Sequence, residues 1–374
     1  ITSLVEMFDP ETDRWDSYNL EGKWTDTSLM NVARKNHTST LLPDGSVLIT
    51  GGITRVYEEG GNGPTQLLEV AERYLVGGIK KWTLAGKMSY NRTGHTASLL
   101  PDGKVLIAGG GTVEANQGGQ DEKELEHLKS TETYDYKAND WFQSTSMNIS
   151  RWEHTATVLS GGDVLVVGGE NSNGKLSSTE LFKYDTKQWV MLKDLSYPRA
   201  RHIAALLSDN RVLVAGGGSK TAEIYDAQSG TWTSIGEISQ NLNLSVATGL
   251  PDGKAIMVGG YGEEGAQHLV EIYNPEFDIW NMGPKIPKTR VRASLVNLDK
   301  SSFLLAGGNQ YTHSWIFDIN TLTWTKAAKM LTARTGQAAT QLKDGEVLVS
   351  GGENRKGKME SSSEIYKLRQ EESD

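Results

Sequence analysis

A glycine pair recurs seven times along this chain, and each pair ends a short apolar run such as VLITGG or VLIAGG. Successive pairs are 43 to 59 residues apart. Self-similarity at this period indicates one supersecondary unit that is copied around an axis or along a solenoid. The pairs are Gly51-Gly52, Gly109-Gly110, Gly168-Gly169, Gly216-Gly217, Gly259-Gly260, Gly307-Gly308 and Gly351-Gly352.

Each repeat is divided into four segments, which predict four short antiparallel strands. The first opens at an arginine and becomes apolar, as in residues 92–100, and an Asp-Gly turn at 102–103 joins it to the apolar run. The third segment carries Glu-x-Tyr, as at Glu132 and Tyr134, and the fourth carries a tryptophan such as Trp141. Four strands in each of seven units predict an all-β fold, a seven-bladed β-propeller of four-stranded antiparallel blades.

The combination of Gly-Gly, Glu-x-Tyr and a spaced tryptophan resembles the kelch-repeat family over nearly the whole chain. The resemblance matches the physics of the residues. Glycines let neighbouring blades approach where a Cβ would clash, and the tryptophans and tyrosines fill the wedge between blades.

The repeat runs through the whole chain, so we predict a single propeller over residues 1–374, although the length alone suggests two or more domains. Pairing of the N- and C-terminal strands would close the ring and remove exposed sheet edges. Trp24 fits the missing fourth strand, and residues 1–18 then form an additional hairpin. The predicted blades lie near residues 31–85, 89–143, 148–191, 196–234, 239–282, 287–326 and 331–368, with an N-terminal strand from within residues 1–27.

Composition excludes several classes of function. The net charge of −9 argues against a general nucleic-acid binder, and no apolar stretch approaches the length that would predict membrane insertion. The absence of cysteine excludes disulfides, zinc–cysteine sites and thiol catalysis. No cofactor or metal is predicted. The chain begins at Ile1, so we expect a mature or excised piece, a monomeric domain that could be part of a larger chain.

Loops after the glycine pairs share one face with the blade-to-blade connections, and they are longer and less regular than the turns on the opposite face. Blade one inserts residues 53–68, and blade two inserts residues 111–130 with a charged run at 121–129. Leu125 and Leu128 have helical spacing, which favours a short helix there. Long loops on a rigid scaffold usually carry function, so we place the candidate site on this face.

An arginine begins the innermost strand of six blades, and six such residues are expected to surround the mouth of the central channel. Guanidinium groups there would suit a carboxylate, phosphate or sulfate. The alternative is that they pair with carbonyls or acids and brace the blades. In kelch domains that recruit acidic peptides, arginines at some of these positions make the contacts, so the resemblance implies the same role. They are Arg34, Arg92, Arg151, Arg199, Arg290 and Arg334.

Other candidates lie around the same mouth. His37, His95, His154 and His202 follow four of the arginines by three residues, and strand parity predicts that they form hydrogen bonds between blades. Aromatic and acidic residues in or next to the loops could stack on a sugar, anchor a peptide or act as acids. These candidate ligand-binding residues are Trp152, Tyr57, Tyr261, Tyr311, Glu170 and Glu353.

The function favoured here is a non-catalytic binding module that recognises an anionic protein, peptide or glycan at the channel mouth. The first alternative is a carbohydrate-active enzyme that resembles kelch-type sialic-acid mutarotases, with Glu170 or Glu353 as the carboxylate. A copper-radical oxidase is excluded, because its cofactor needs a cysteine. A structural module of a larger protein is the second alternative. Segments such as LLPDGKVLIAGG resemble kelch proteins that bacteria export, which favours an extracellular, cell-surface or periplasmic location.

Overall fold

The computed structural model describes residues 4–9, 14–19, 22–58, 61–78, 80–113 and 125–368. Seven four-stranded antiparallel sheets confirm the predicted propeller. The strands that precede the first blade are β1 (Leu4–Asp9), β2 (Arg14–Asn19) and β3 (Lys23–Asp26).

The blades contain the following strands. Blade one has β4 (Thr38–Leu41), β5 (Val47–Thr50), β6 (Ile53–Glu58), β7 (Gly61–Leu67), β8 (Val70–Leu75) and β9 (Lys81–Lys87). Blade two has β10 (Thr96–Leu99), β11 (Val105–Ala108), β12 (Gly111–Thr112), β13 (Glu126–His127), β14 (Thr131–Asp135) and β15 (Asp140–Gln143). Blade three has β16 (Thr155–Val158), β17 (Val164–Val167), β18 (Glu170–Asn171), β19 (Gly174–Lys175), β20 (Thr179–Lys183) and β21 (Gln188–Met191).

Blade four has β22 (Ile203–Leu206), β23 (Val212–Ala215), β24 (Ala222–Asp226) and β25 (Thr231–Ile235). Blade five has β26 (Val246–Gly249), β27 (Ala255–Val258), β28 (Tyr261–Gly262), β29 (Gly265–Ala266), β30 (Val270–Asn274) and β31 (Ile279–Met282). Blade six has β32 (Ser294–Asn297), β33 (Ser302–Ala306), β34 (Ser314–Asp318) and β35 (Thr323–Lys326). Blade seven has β36 (Ala338–Gln341), β37 (Val347–Ser350) and β38 (Ser363–Lys367).

The N-terminal strand β3 closes the ring by pairing with the C-terminal strand β38, as predicted. Trp24 lies opposite Tyr366 in this pair, and β3 becomes the outermost strand of blade seven. The innermost strands β4, β10, β16, β22, β26, β32 and β36 contact one another in a closed circle around the axis. Strands β1 and β2 form a separate two-stranded hairpin.

Blades pack against each other through the apolar second strands and the aromatic residues of the outer strands. In blade two, every residue of β11 is buried, and Tyr134 lies 5.1 Å from Trp141 between ring centroids. The Trp141 indole donates a hydrogen bond of 2.7 Å to the carbonyl of Ala85 in blade one. Burial of each large side chain contributes roughly 1.5–3 kcal/mol, so the blade-to-blade wedges form the core.

The glycine pairs allow the blades to meet at the backbone. Gly109 has a φ of +61°, and a Cβ built on it would lie 2.5 Å from the carbonyl oxygen of Arg151 in the next blade. Gly110 donates its N–H to that carbonyl at 2.9 Å. A side chain at the first glycine would therefore separate two blades.

The loop face carries short hairpins in four blades, β6–β7, β12–β13, β18–β19 and β28–β29. The predicted helix around Leu125 and Leu128 is wrong, because Glu126 and His127 form β13 and pair with β12. Residues 114–124, which include the start of the charged run, lie outside the described residues. Within the described ranges, no helix has the length and apolar character that crossing a membrane requires.

Candidate functional site at the channel mouth

Five of the six predicted ring arginines are buried inside their own blades. Arg151 is representative: its guanidinium donates to the carbonyl of Gly168 at 2.6 Å, to Ser178 and to the carboxylate of Glu180 at 2.9 Å. Each of the five side chains is 0 % exposed. The carboxylate partners are Glu72 for Arg34, Glu132 for Arg92, Glu180 for Arg151, Glu223 for Arg199 and Glu364 for Arg334, at 2.6 to 3.0 Å.

The prediction that these guanidinium groups face the channel mouth is therefore wrong, and the bracing alternative holds for five blades. Glu180 also accepts the backbone N–H groups of Asn148 at 2.7 Å and Ile149 at 3.0 Å. The ion pair thus holds the connection from the preceding blade against β20. Burial lowers the pKa of Arg151, and the Glu180 carboxylate opposes that effect.

Blades five and six break this pattern in opposite ways. Blade five keeps the acid, Glu271, but has Leu242 at the arginine position. Ser239 satisfies the carboxylate with its N–H and hydroxyl, at 2.9 Å each, and burial raises the pKa of Glu271. Blade six keeps Arg290, which is 1 % exposed, but has Trp315 where the other blades have the glutamate. Burial lowers the pKa of Arg290 to about 10.

The mouth is lined instead by the residue two positions after each arginine. These six residues, and Leu244 two positions after Leu242, have a positive φ of 52° to 65°, within the left-handed region. Their backbones link neighbouring blades by N–H to carbonyl hydrogen bonds of 2.8 to 3.4 Å, such as Arg201 to Glu153 and Leu244 to Arg201. The ring consists of Asn36, Gly94, Glu153, Arg201, Leu244, Arg292 and Gly336.

Two arginines of this ring share one carboxylate. Arg201 Nε and Arg292 Nη2 each lie 3.9 Å from the same oxygen, Oε1 of Glu153. The side chains of Arg201 and Arg292 are 33 % and 34 % exposed, so part of each remains open to solvent. Arg292 also donates to the Asn36 amide oxygen at 2.8 Å. A cavity of about 230 Å³ at the mouth is lined in part by Asn36, Glu153 and Arg292.

The sequence analysis missed Arg201 and Arg292. Their shared position, two residues after the arginine that begins each inner strand, could have identified them. Strand alternation alone does not predict which way their side chains point, because the left-handed residue at this position interrupts the period of two. Their shared position at the mouth becomes visible only once the seven blades are aligned in register.

Among the aromatic candidates, Trp152 lies next to the mouth. The Arg201 guanidinium carbon is 5.3 Å from the Trp152 ring centroid, and His127 of β13 contacts the same indole at 6.0 Å. Tyr261 is 54 % exposed and pairs with Asn243. Tyr57 lies in β6, and its side chain is outside the described part of the chain. The Tyr311 ring lies over the guanidinium group of Arg290.

The acidic candidates both follow a glycine pair directly, on the loop face. Glu170 pairs through its backbone with Trp152 and belongs to the β18–β19 hairpin. Glu353 forms an ion pair with Lys35 of the neighbouring blade. Their use as acids in a mutarotase-like reaction stays a prediction, and acceleration of sialic-acid anomer exchange, followed by NMR, would test it.

The histidines form the predicted hydrogen bonds between blades. His95 Nε2 lies 2.9 Å from the Thr50 hydroxyl, and His202 Nε2 lies 2.9 Å from that of Thr155, in each case on the preceding blade. His37 and His154 make equivalent contacts. Burial lowers the pKa of all four imidazoles, to about 3 for His95 and His202. Among the described residues, no three histidine, aspartate or glutamate side chains lie together as a metal site would require.

Comparisons with known proteins agree with this architecture. A model described as the Kelch motif matches residues 151–196. No curated protein matches the sequence. A solved structure titled a novel fungal alcohol oxidase of the AA5 family, in complex with copper, superimposes with a TM-score of 0.71 at 17 % identity, over 93 % of this chain and 76 % of that one.

That likeness extends to the fold alone. The present chain has no cysteine. The motif matched in blade three has the same glycine pair, and the same tryptophan position, that recur around the ring. The chain is a seven-bladed β-propeller, and its third blade matches the Kelch motif.

Proposed function

We propose that this protein is a non-catalytic binding module that receives an anionic group of a protein, peptide or glycan partner at the channel mouth. The observation that carries this proposal is the unequal pairing of Arg201, Arg292 and Glu153. Two guanidinium groups face one carboxylate at 3.9 Å, which exceeds hydrogen-bond length. These three side chains together carry one positive charge in excess, in a chain whose net charge is −9.

The guanidinium of Arg201 is held in a geometry that suits recognition. Its carbon lies 5.3 Å from the centroid of the Trp152 ring, and such a contact leaves the in-plane N–H groups free to bind an oxyanion. No described residue accepts a hydrogen bond from the Arg201 guanidinium. A carboxylate, sulfate or phosphate of a partner would supply the missing acceptors.

The size of the mouth limits what enters it. Backbones of adjacent blades meet at hydrogen-bond distance in this ring, so a ligand contacts the mouth from the loop face. A cavity of about 230 Å³ accommodates one acidic side chain or one charged sugar substituent. The surrounding loops, such as the β18–β19 hairpin, would contact the rest of the partner.

Arg201→Ala with Arg292→Ala is expected to weaken binding of an anionic partner at least tenfold, because it removes both exposed guanidinium groups of the mouth. A screen of glycans and acidic peptides at two salt concentrations would identify the partner, and binding should weaken as salt rises. The two ligand classes are separate arms of the same screen. Affinities of the variant are then measured by calorimetry with the ligand found.

Arg211→Ala is the matched control. Arg211 lies in the same blade as Arg201, is similarly exposed at 31 %, and pairs with Asp209 in a turn on the opposite face. It should leave affinity unchanged. Unchanged affinity in the folded Arg201→Ala, Arg292→Ala protein would contradict the proposal.

A further inference from the structure

Blade six contains a buried guanidinium group that has no carboxylate partner. In blade two, Glu132 of the third strand lies opposite Ile107 and binds Arg92. Trp315 occupies this register in blade six, opposite Leu305. Arg290 is nevertheless retained and is only 1 % exposed. This blade therefore has the buried cation without the internal carboxylate.

Weak contacts replace the ion pair at Arg290. Its guanidinium donates long hydrogen bonds of 3.4 Å to the carbonyls of Thr289 and His313, and Nε has no described acceptor. The Tyr311 ring lies 4.9 Å from the guanidinium carbon. Cation–π contact with one ring stabilises a buried cation less than a paired carboxylate does.

Further cationic side chains lie near the Arg290 guanidinium. The ammonium of Lys288 lies 5.3 Å from the Tyr311 centroid, and Arg355, from the loop of blade seven, donates to the carbonyl of Gln310 at 3.1 Å. Lys288, Arg355 and Lys329 are all exposed. His313 lies 5.9 Å from Tyr311.

The charges that act on His313 are all cationic. Burial and then Lys288, Lys329, Arg290 and Arg355 lower the pKa of its imidazole. Within the described ranges, none of these four groups forms an ion pair with a carboxylate. Four neighbouring cations repel one another, and an anion that binds between them reduces this repulsion.

We propose that the loop face of blade six carries an oxyanion-binding site for a doubly charged sulfate or phosphate group, with Lys288, Lys329 and Arg355 at its rim and Tyr311 and Arg290 beneath. A divalent oxyanion suits this site because its oxygens can accept from several donors at once. None of these residues belongs to the Arg201–Arg292–Glu153 set, so the site goes beyond the function proposed for the mouth.

The test is a titration of the whole chain with sodium sulfate and, separately, sodium phosphate, at constant ionic strength maintained with sodium chloride. The His313 ring protons are followed by NMR. A saturable shift is expected with either anion, together with a rise in the pKa of His313, because a bound anion offsets the surrounding positive charge. Sodium acetate, a monovalent oxyanion, should bind at least tenfold more weakly.

Variants separate this site from general charge effects and from the mouth. Lys288→Ala with Arg355→Ala should weaken sulfate binding at least tenfold, and Arg290→Met should also weaken it. Lys285→Ala, an exposed lysine three residues from Lys288, and Arg201→Ala with Arg292→Ala should leave it unchanged. Absence of a saturable His313 shift, or an equal loss in Lys285→Ala, would overturn the proposal. Lys288 and Arg355 are both exposed, so their replacement does not threaten folding.

Discussion

Arg151→Met is expected to lower the free energy of unfolding by about 3–5 kcal/mol, the range found when one member of a buried ion pair is removed. The Arg151 and Glu180 side chains are both 0 % exposed, and they are 2.9 Å apart. Methionine fills much of the volume but leaves the Glu180 carboxylate buried with no cation. Urea denaturation, followed by tryptophan fluorescence, measures the change.

Arg290→Met is the matched control, because it removes an arginine from the same register of another blade without isolating a carboxylate. Its effect should stay below about 1.5 kcal/mol, as for other volume-conserving changes in a core. Equal destabilisation by the two substitutions would show that arginine packing, rather than the Arg–Glu pair, braces the blades.

The second large effect is a steep loss of stability in mild acid. His95 and His202 have a pKa of about 3 in the folded chain, and that of His37 and His154 is also well below the ordinary value. Unfolding restores a pKa near 6.5, so the unfolded chain binds more protons below that pH. Stability contributed by neutral imidazoles is complete above pH 6.5 and is lost as pH falls from 6.5 towards 3.

On the steep part of this range, each of the four histidines lowers the free energy of unfolding by about 1.4 kcal/mol for every unit by which the pH falls. Glutamine is a suitable uncharged substitute for these histidines. Gln337 occupies the histidine position in blade seven, and its amide donates to the carbonyl of Ala306 at 3.0 Å. His95→Gln with His202→Gln should therefore remove about half of the slope that these four histidines contribute between pH 6 and pH 5. Urea midpoints at these pH values test this, and an unchanged slope would contradict neutral burial of the imidazoles.

The fold was predictable because its signals are local and repeated. The apolar run of β11, the turn at 102–103 and the Trp141 position each report a strand or a turn, and sevenfold recurrence removes the ambiguity of any one copy. Ring closure by β3 was predictable for the same reason, since Trp24 continues the register of the other tryptophans.

The candidate site was less predictable because it depends on pairing between distant segments. Arg151 and Glu180 each recur in the sequence, but their separation of 29 residues does not reveal that one neutralises the other. The exceptions carried the signal: blade five lacks the arginine at Leu242, and blade six lacks the glutamate at Trp315. The exposure of Arg201 depends on its own left-handed backbone, with a φ of 56°. Arginine has no preference for this conformation, so the sequence does not indicate it.

The central claim is that Arg201 and Arg292 are accessible to solvent whereas the five paired arginines are not. Chemical modification measures this accessibility directly. Phenylglyoxal, which reacts with accessible guanidinium groups, is applied to the folded protein, and the modified sites are mapped by mass spectrometry over time. Arg201 and Arg292 should react early, whereas Arg34, Arg92, Arg151, Arg199 and Arg334 should react only as the chain unfolds. Early modification of the latter five, or protection of Arg201 and Arg292 in the absence of any ligand, would contradict the account.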